Sequence, residues 1–274
     1  MTDTAVRRGV AEAFVAARLA ARALPDYPGP LPEDLAEAYA RQDAAIALWP
    51  DRIAGWKVGG VAEVWAARLG ESRLLGPVFR SHLWRAREDA VMPLPIIPQG
   101  FAAVEAEYVF VLAADVPPEP TDRTLSQVAE LVAELRVGIE LAGSPLATIN
   151  ELGPAVVVSD FGNNAGLLVG PPIVDWRSRP FASLTCEMQV GGRTVGRGGA
   201  VSVPGGPLAA LDFALGCCAR RGRALRAGDV VSTGASTGIH PLQVGEEARA
   251  TFTGIAQLSC RAVRATPAIP GRTP

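Results

Sequence analysis

Val104-Glu105-Ala106-Glu107-Tyr108-Val109-Phe110-Val111-Leu112 reads as a β-strand: β-branched and aromatic side chains dominate it, and its second half is apolar. Side chains alternate faces along a strand, so Glu105 and Glu107 point the same way. On a buried face two neighbouring carboxylates repel each other and lose their hydration, and a cation between them relieves both costs. Hard carboxylate oxygens suit Mg²⁺ or Mn²⁺. On spacing alone the same triplet also fits an edge strand that shows both glutamates to water. The rest of the chain decides between the two.

Upstream of that strand the pattern is mostly helical. Ala5 to Ala23 is alanine-rich with Val6, Val10, Phe14 and Ala17 at helical spacing, and Glu33 to Leu48 follows a connector with four prolines. Ile53 to Val58 reads as a short strand and Ala62 to Leu69 as a short helix. Residues 1–70 are therefore expected to form a helical N-terminal segment. From residue 71 to 264 proline and glycine punctuate β-like runs, which predicts a β-rich body; residues 265–274 read as a loose tail. Within the body, Ser126 to Arg136 reads as a helix leading into Val137-Gly138-Ile139-Glu140-Leu141. Leu184 to Val190 and Arg193 to Val195 read as a hairpin about Gly191-Gly192, and Leu208 to Arg221 as a helix. Asp229 to Ser232, Ala248 to Phe252 and Ala256 to Val263 look like closing strands, and no internal repeat is present.

Composition excludes several classes. The 274 residues are 49% hydrophobic and 20% charged, enough for a sizeable core and unlike a disordered chain. A formal net charge of -2 makes no electrostatic case for nucleic acid or an anionic membrane. No apolar run approaches the roughly 18 residues of a membrane span, and Met1-Thr2-Asp3-Thr4 does not begin a secretory signal, so a cytoplasmic protein is expected. Cys186, Cys217, Cys218 and Cys260 include no C-x-x-C pair and read as small buried hydrophobes.

The 26 basic residues include a single lysine, Lys57, among arginines. A lone lysine within Gly55-Trp56-Lys57-Val58-Gly59-Gly60 marks a position where a compact ammonium, able to exchange a proton, is wanted and guanidinium does not serve. Glu140, on its own apolar run, is a third carboxylate that can join Glu105 and Glu107 and leave positions open for a chelating ligand. Gly228-Asp229-Val230-Val231-Ser232-Thr233-Gly234-Ala235-Ser236-Thr237-Gly238 runs a strand into a turn rich in glycine and hydroxyls, suited to hold a carboxylate, or equally a plain strand exit. No Gly-Lys-Ser/Thr phosphate loop and no G-x-S-x-G elbow occur. The two histidines, His82 and His240, are too few for a histidine metal site, and either one packs structurally or orients a water.

Several of these stretches, in this order, resemble one known group. They are Gly55-Trp56-Lys57-Val58-Gly59, Val104-Glu105-Ala106-Glu107, Ile139-Glu140, Asp160 with Asn163-Asn164-Ala165-Gly166, Gly206-Pro207-Leu208, and Gly228 to Gly234. The chain resembles the 2-keto-4-pentenoate hydratase and 2-oxohept-3-ene-1,7-dioate hydratase group of the fumarylacetoacetate hydrolase superfamily. The resemblance implies an α+β fold, a β-rich mixed roll preceded by a small helical segment. It implies Mg²⁺ or Mn²⁺ held by Glu105, Glu107 and Glu140, with a 2-oxo acid chelating the metal and Lys57 moving protons beside the developing enolate. Ser81, His82 and Asp160 join Lys57 as expected catalytic residues, and Ser232, Thr233, Gly234, Ser236 and Thr237 as substrate-binding ones. The activity implied is hydration of a 2-hydroxypenta-2,4-dienoate-like acid to a 4-hydroxy-2-oxo acid in aromatic catabolism, by a homo-oligomer with no nucleic-acid or membrane partner. The alternatives are a 4-oxalocrotonate-type decarboxylase, an acylpyruvate hydrolase and a non-catalytic binding protein of the same fold.

The chain departs from the group's pattern in three places. Ser81-His82 stands where an Asp usually positions water, Gly143-Ser144-Pro145 stands where an Asp-Ser or Asp-Ala pair commonly follows Glu140, and Phe161 stands where Asn usually does. The metal site is expected to be kept and the handling of water altered.

Overall fold

The structure, a computed structural model, describes residues 3–268. In chain order the elements are α1 (Asp3–Leu19), α2 (Leu35–Leu48), β1 (Ile53–Gly60), α3 (Glu63–Leu69), β2 (Arg73–Phe79), β3 (Leu83–Arg85), β4 (Val91–Ile96) and β5 (Phe101–Leu112). Then come α4 (Leu125–Glu130), β6 (Val132–Ser144), α5 (Pro154–Ser159), β7 (Asn164–Pro172), β8 (Thr185–Val190), β9 (Arg193–Gly199) and α6 (Pro207–Arg220). The chain closes with β10 (Val230–Ser232), β11 (His240–Pro241), β12 (Glu247–Phe252) and β13 (Ala256–Arg264). The expected α+β, β-rich architecture is what folds.

Two sheets carry the body. The larger has the strand order β2-β1-β10-β5-β6-β7-β3, with β11 also pairing to β5; the smaller runs β4-β13-β12-β8-β9. Ala106, Tyr108 and Phe110 on β5 join Trp56 and Val58 on β1 in the main apolar core, which reaches Met188, Ala250 and Leu258 on the smaller sheet and Leu211 and Leu215 on α6. Side chains of opposite parity on β1 and β5, Lys57, Glu105 and Glu107, therefore face away from that core.

Helices α1 and α2 pack together and against α5 and β2 through Val10, Phe14, Ala38, Leu74, Val156 and Val158. Polar latches fix this packing. Arg18 on α1 donates to both carboxylate oxygens of Asp160, at 2.6 and 2.9 Å, and to the carbonyls of Gly143 and Asn164. Gln42 on α2 donates to the carbonyls of Leu75 and Val158, each at 2.9 Å.

Three boundaries differ from the sequence reading. The helix expected over 126–136 stops at Glu130, and Val132–Ser144 is one long strand paired with β5 along almost its whole length. Val132, Leu135, Val137 and Ile139 satisfy either period for a few residues, and pairing with β5 decides for the strand. The strand expected at Ile53 to Val58 extends to Gly60 and pairs inside the larger sheet of the body. In the tail, Ala265 donates to the Ile96 carbonyl and Ala268 to the Leu19 carbonyl, while residues 269–274 lie outside the described residues. The four cysteines are buried free thiols, as expected.

Candidate active site

Strand register gathers the acidic residues. In the β5–β6 pair Glu105 lies directly opposite Glu140, so both project from one face, with Glu107 two residues along on that face. In the parallel β1–β10 pair Lys57 lies opposite Ser232, and Ser232 lies opposite Val109, which shares the parity of Glu107. Five polar side chains from four strands thus share one patch of the sheet. All are buried: Glu107, Glu140 and Ser232 are fully enclosed, and Lys57 and Glu105 are only 5% and 8% exposed.

Ligand atoms of Glu105, Glu107 and Glu140 lie within 4.8 Å of one another. Their surroundings divide each of the two deepest carboxylates into a held oxygen and a free one. Oε2 of Glu107 accepts from the Ser232 hydroxyl and from the Gly234 N–H at 3.0 Å, whereas its Oε1 is buried without a donor. Oε1 of Glu140 accepts from Asn164 Nδ2 at 3.0 Å and lies 3.3 Å from Lys57 Nζ, whereas its Oε2 is buried without a donor. Buried acceptors normally have partners, so two orphan oxygens in a cluster of three carboxylates fit a hard divalent cation. Electrostatics agree. Burial, then repulsion from Glu140, raises the Glu105 carboxyl to about 7, and burial with both neighbouring carboxylates lifts Glu107 well above its ordinary value. Burial works against the Lys57 ammonium, but attraction to Glu140, Glu105 and Glu107 outweighs it and raises Lys57 above its ordinary value.

A cavity of about 560 Å³ opens onto this cluster, and Lys57, Glu105, Thr233 and Gly234 line it. Of the other residues expected at the site, Ser232 supports Glu107 from below. Ser236 and Thr237 do not line the cavity; Ser236 donates its backbone N–H to Ala106, and the Thr237 carbonyl meets the His240 ring at 3.0 Å.

The structure does not bring Asp160, Ser81 or His82 to the cavity. Asp160 is consumed by Arg18 and by the Ser144 hydroxyl at 2.6 Å, so it anchors the turn 161–164. That turn holds Phe161, Gly162 and Asn163 at positive φ and delivers Asn164 to Glu140. The turn crosses β2 so closely that a Cβ on Gly76 would stand 2.2 Å from the Phe161 carbonyl oxygen. Ser81 and His82 fail for a simple reason: Lys57 is level with Gly76, and β2 runs on past that level before the turn that contains them. Ser81 donates its N–H and hydroxyl to Asp51, each at 2.7 Å, and His82 sits between the Trp49 and Trp84 rings. Burial and the nearby Arg18 charge push His82 down to about 4, which keeps it neutral.

Four residues of the site or its mouth carried no assigned role in the sequence reading. Asn164, the donor to Glu140, lay inside a quoted motif. Asn163 and Asn150 line the cavity and face each other at 3.4 Å. Arg73 lines the cavity mouth; as one arginine among many it gave no sequence signal.

No protein-family model matches the chain. Among solved structures the chain is similar to 4-oxalocrotonate decarboxylase from Pseudomonas putida G7 complexed with magnesium and adipate. That match has 20% sequence identity, covers 96% of this chain and 99% of that one, and has a TM-score of 0.79. It is also similar to fumarylpyruvate hydrolase from Pseudomonas aeruginosa in complex with Mn²⁺ and pyruvate, at 19% identity over 79% of this chain and 91% of that one, TM-score 0.55. A third likeness is to 5-carboxymethyl-2-hydroxymuconate delta-isomerase from Mycobacterium smegmatis, at 17% identity over 78% and 81%, TM-score 0.54. At these identities the likeness carries the fold alone. Two of the three neighbours hold a divalent cation.

Proposed function

We propose that the protein is a divalent-metal-dependent enzyme of unsaturated 2-oxo acids, and that its reaction is decarboxylation of a vinylogous 2-oxo diacid of the 4-oxalocrotonate type. One observation carries the choice. Among the described residues lining the cavity, Lys57, Glu105 and Arg73 are the only titratable side chains. Hydration needs a base to activate water; Ser81 and His82, at the position expected to handle water, and Asp160, the other expected catalytic residue, are engaged elsewhere. Decarboxylation needs no base.

Glu105, Glu107 and Glu140 would hold Mg²⁺ or Mn²⁺, which supplies Lewis-acid stabilisation of negative charge on the oxo-acid oxygens. Ser232, the Gly234 N–H and Asn164 orient two of the ligands from behind and keep their free oxygens turned inward. The bond from the distal carboxylate to the chain breaks and CO₂ leaves. The electron pair moves through the conjugated system to the C2 oxygen, and the Lys57 ammonium, 3.3 Å from Glu140, would donate the proton that turns the resulting dienolate into the dienol. Val58, Val61 and Leu74 along the walls keep bulk water from the reacting carbon.

Hydration is the second reading, favoured by Asn163, whose buried Oδ1 accepts nothing among the described residues and lies at the cavity wall, where it can hold a water. A homo-oligomer belongs to either reading, and sedimentation measures it. The deciding experiment supplies Mg²⁺-loaded protein with 4-oxalocrotonate, in its 2-oxo form, and, separately, 2-hydroxypenta-2,4-dienoate. CO₂ release from the first with no loss of absorbance from the second is expected. Water addition to the dienoate without CO₂ release would give the hydratase instead, and no turnover of either would remove both. In the same assay Lys57→Arg, which keeps charge but not a transferable proton, should lower turnover at least about 100-fold.

A further inference from the structure

We infer that Arg73 binds the distal carboxylate of the substrate and so selects diacids over monoacids of equal length; this rests on the oxo-acid reading above. Charge leads to it. Three carboxylates, the Lys57 ammonium and a divalent cation cancel at the cavity floor, and the Lys57 charge is already spent on Glu140 at 3.3 Å. A second substrate carboxylate buried there would be unpaired, which is costly. Among the described residues lining the cavity, Arg73 is the one remaining cation.

Geometry agrees. Arg73 is opposite Gly60 and Lys57 is opposite Gly76 in the β1–β2 pair, so Arg73 stands three residues further along the strand. That is about 10 Å, within reach of an extended diacid of roughly six or seven carbons with a hydrogen bond at its far end. Nη2 of Arg73 donates to the Pro204 carbonyl, which ties the guanidinium to the cavity rim; its other N–H groups meet no acceptor among the described residues. A planar fork held at one corner is suited to receive a carboxylate. The pair strengthens substrate binding and is given up as CO₂ leaves, so it selects which acid binds and does not speed the chemical step.

The test uses two saturated, unreactive probes that chelate alike and differ only at the far end, 2-oxoadipate and 2-oxohexanoate. Their binding to the Mg²⁺-loaded protein is measured by calorimetry. Wild type should bind 2-oxoadipate at least about 10-fold more tightly. Arg73→Met should erase that preference with 2-oxohexanoate affinity unchanged, and Arg73→Lys should restore part of it. Retained 2-oxohexanoate binding also shows that the variant is folded. Equal affinity for both probes in wild type, or equal weakening of both by Arg73→Met, would overturn the role of Arg73 and leave the oxo-acid reading standing. Failure of 2-oxohexanoate to bind wild type would sink both.

Discussion

Glu140 shows how much of this site depends on single side chains. One of its oxygens is held by Asn164 and Lys57 and the other is buried without a donor. Glu140→Gln keeps the shape and removes the charge, and should weaken Mg²⁺ at least about 100-fold. Asn164→Leu touches no proposed ligand position, yet should cost about 10- to 100-fold by releasing the orientation of Glu140. Calorimetric Mg²⁺ titration of both variants checks this; wild-type affinity in Asn164→Leu would make that hydrogen bond mere packing. Glu105 and Glu107 were legible in the sequence because two-residue spacing fixes a shared face whatever the partner strand. Glu140 could be named as a candidate third ligand, but its place opposite Glu105 could not, since register between β5 and β6 follows from pairing. The pairing of Asp160 was out of reach for the same reason: its partner Arg18 is 142 residues away and has no local signature.

At the scale of elements the helical segment and the strand face are joined by few contacts with large consequences. Arg18 has a side chain 7% exposed against a fully buried Asp160. Removing one partner of a buried pair leaves the other charge stranded, so Arg18→Met should cost about 3–5 kcal/mol, read as a lower urea midpoint with unchanged slope. Because the same turn presents Asn164, Mg²⁺ affinity should fall with it; lost stability with full affinity would separate α1 from the site. Helices α1, α2, α3 and α6 and the β8–β9 hairpin could be read locally, since periodicity, glycine and proline mark them. The extent of β6 could not. Its first residues, Val132 and Leu135, fit a helix continuing from Val128 and Leu131, and a long-range partner overrules that local pattern.

At the scale of the whole molecule, three buried carboxylates are a standing cost that a metal removes, and pH exposes it. The Glu105 carboxyl is raised from 4.5 to about 7, with Glu107 also raised. Between those values the folded chain holds protons that the unfolded chain has released, so the metal-free protein loses stability as pH rises, by about 1–3 kcal/mol. His82 acts in the opposite sense. Its value is lowered from 6.5 to about 4, so its contribution is lost as pH falls through that window. The two trends overlap in a single melting profile, but His82 contributes equally with and without metal and cancels in the difference. Melting temperatures in EDTA and in Mg²⁺ should therefore diverge from pH 5.5 to 8.5, because the cation displaces protons at low pH and finds free carboxylates at high pH. A gap that stayed constant over that range would mean that binding releases no protons, and Glu105 and Glu107 would then not be the groups that receive the cation.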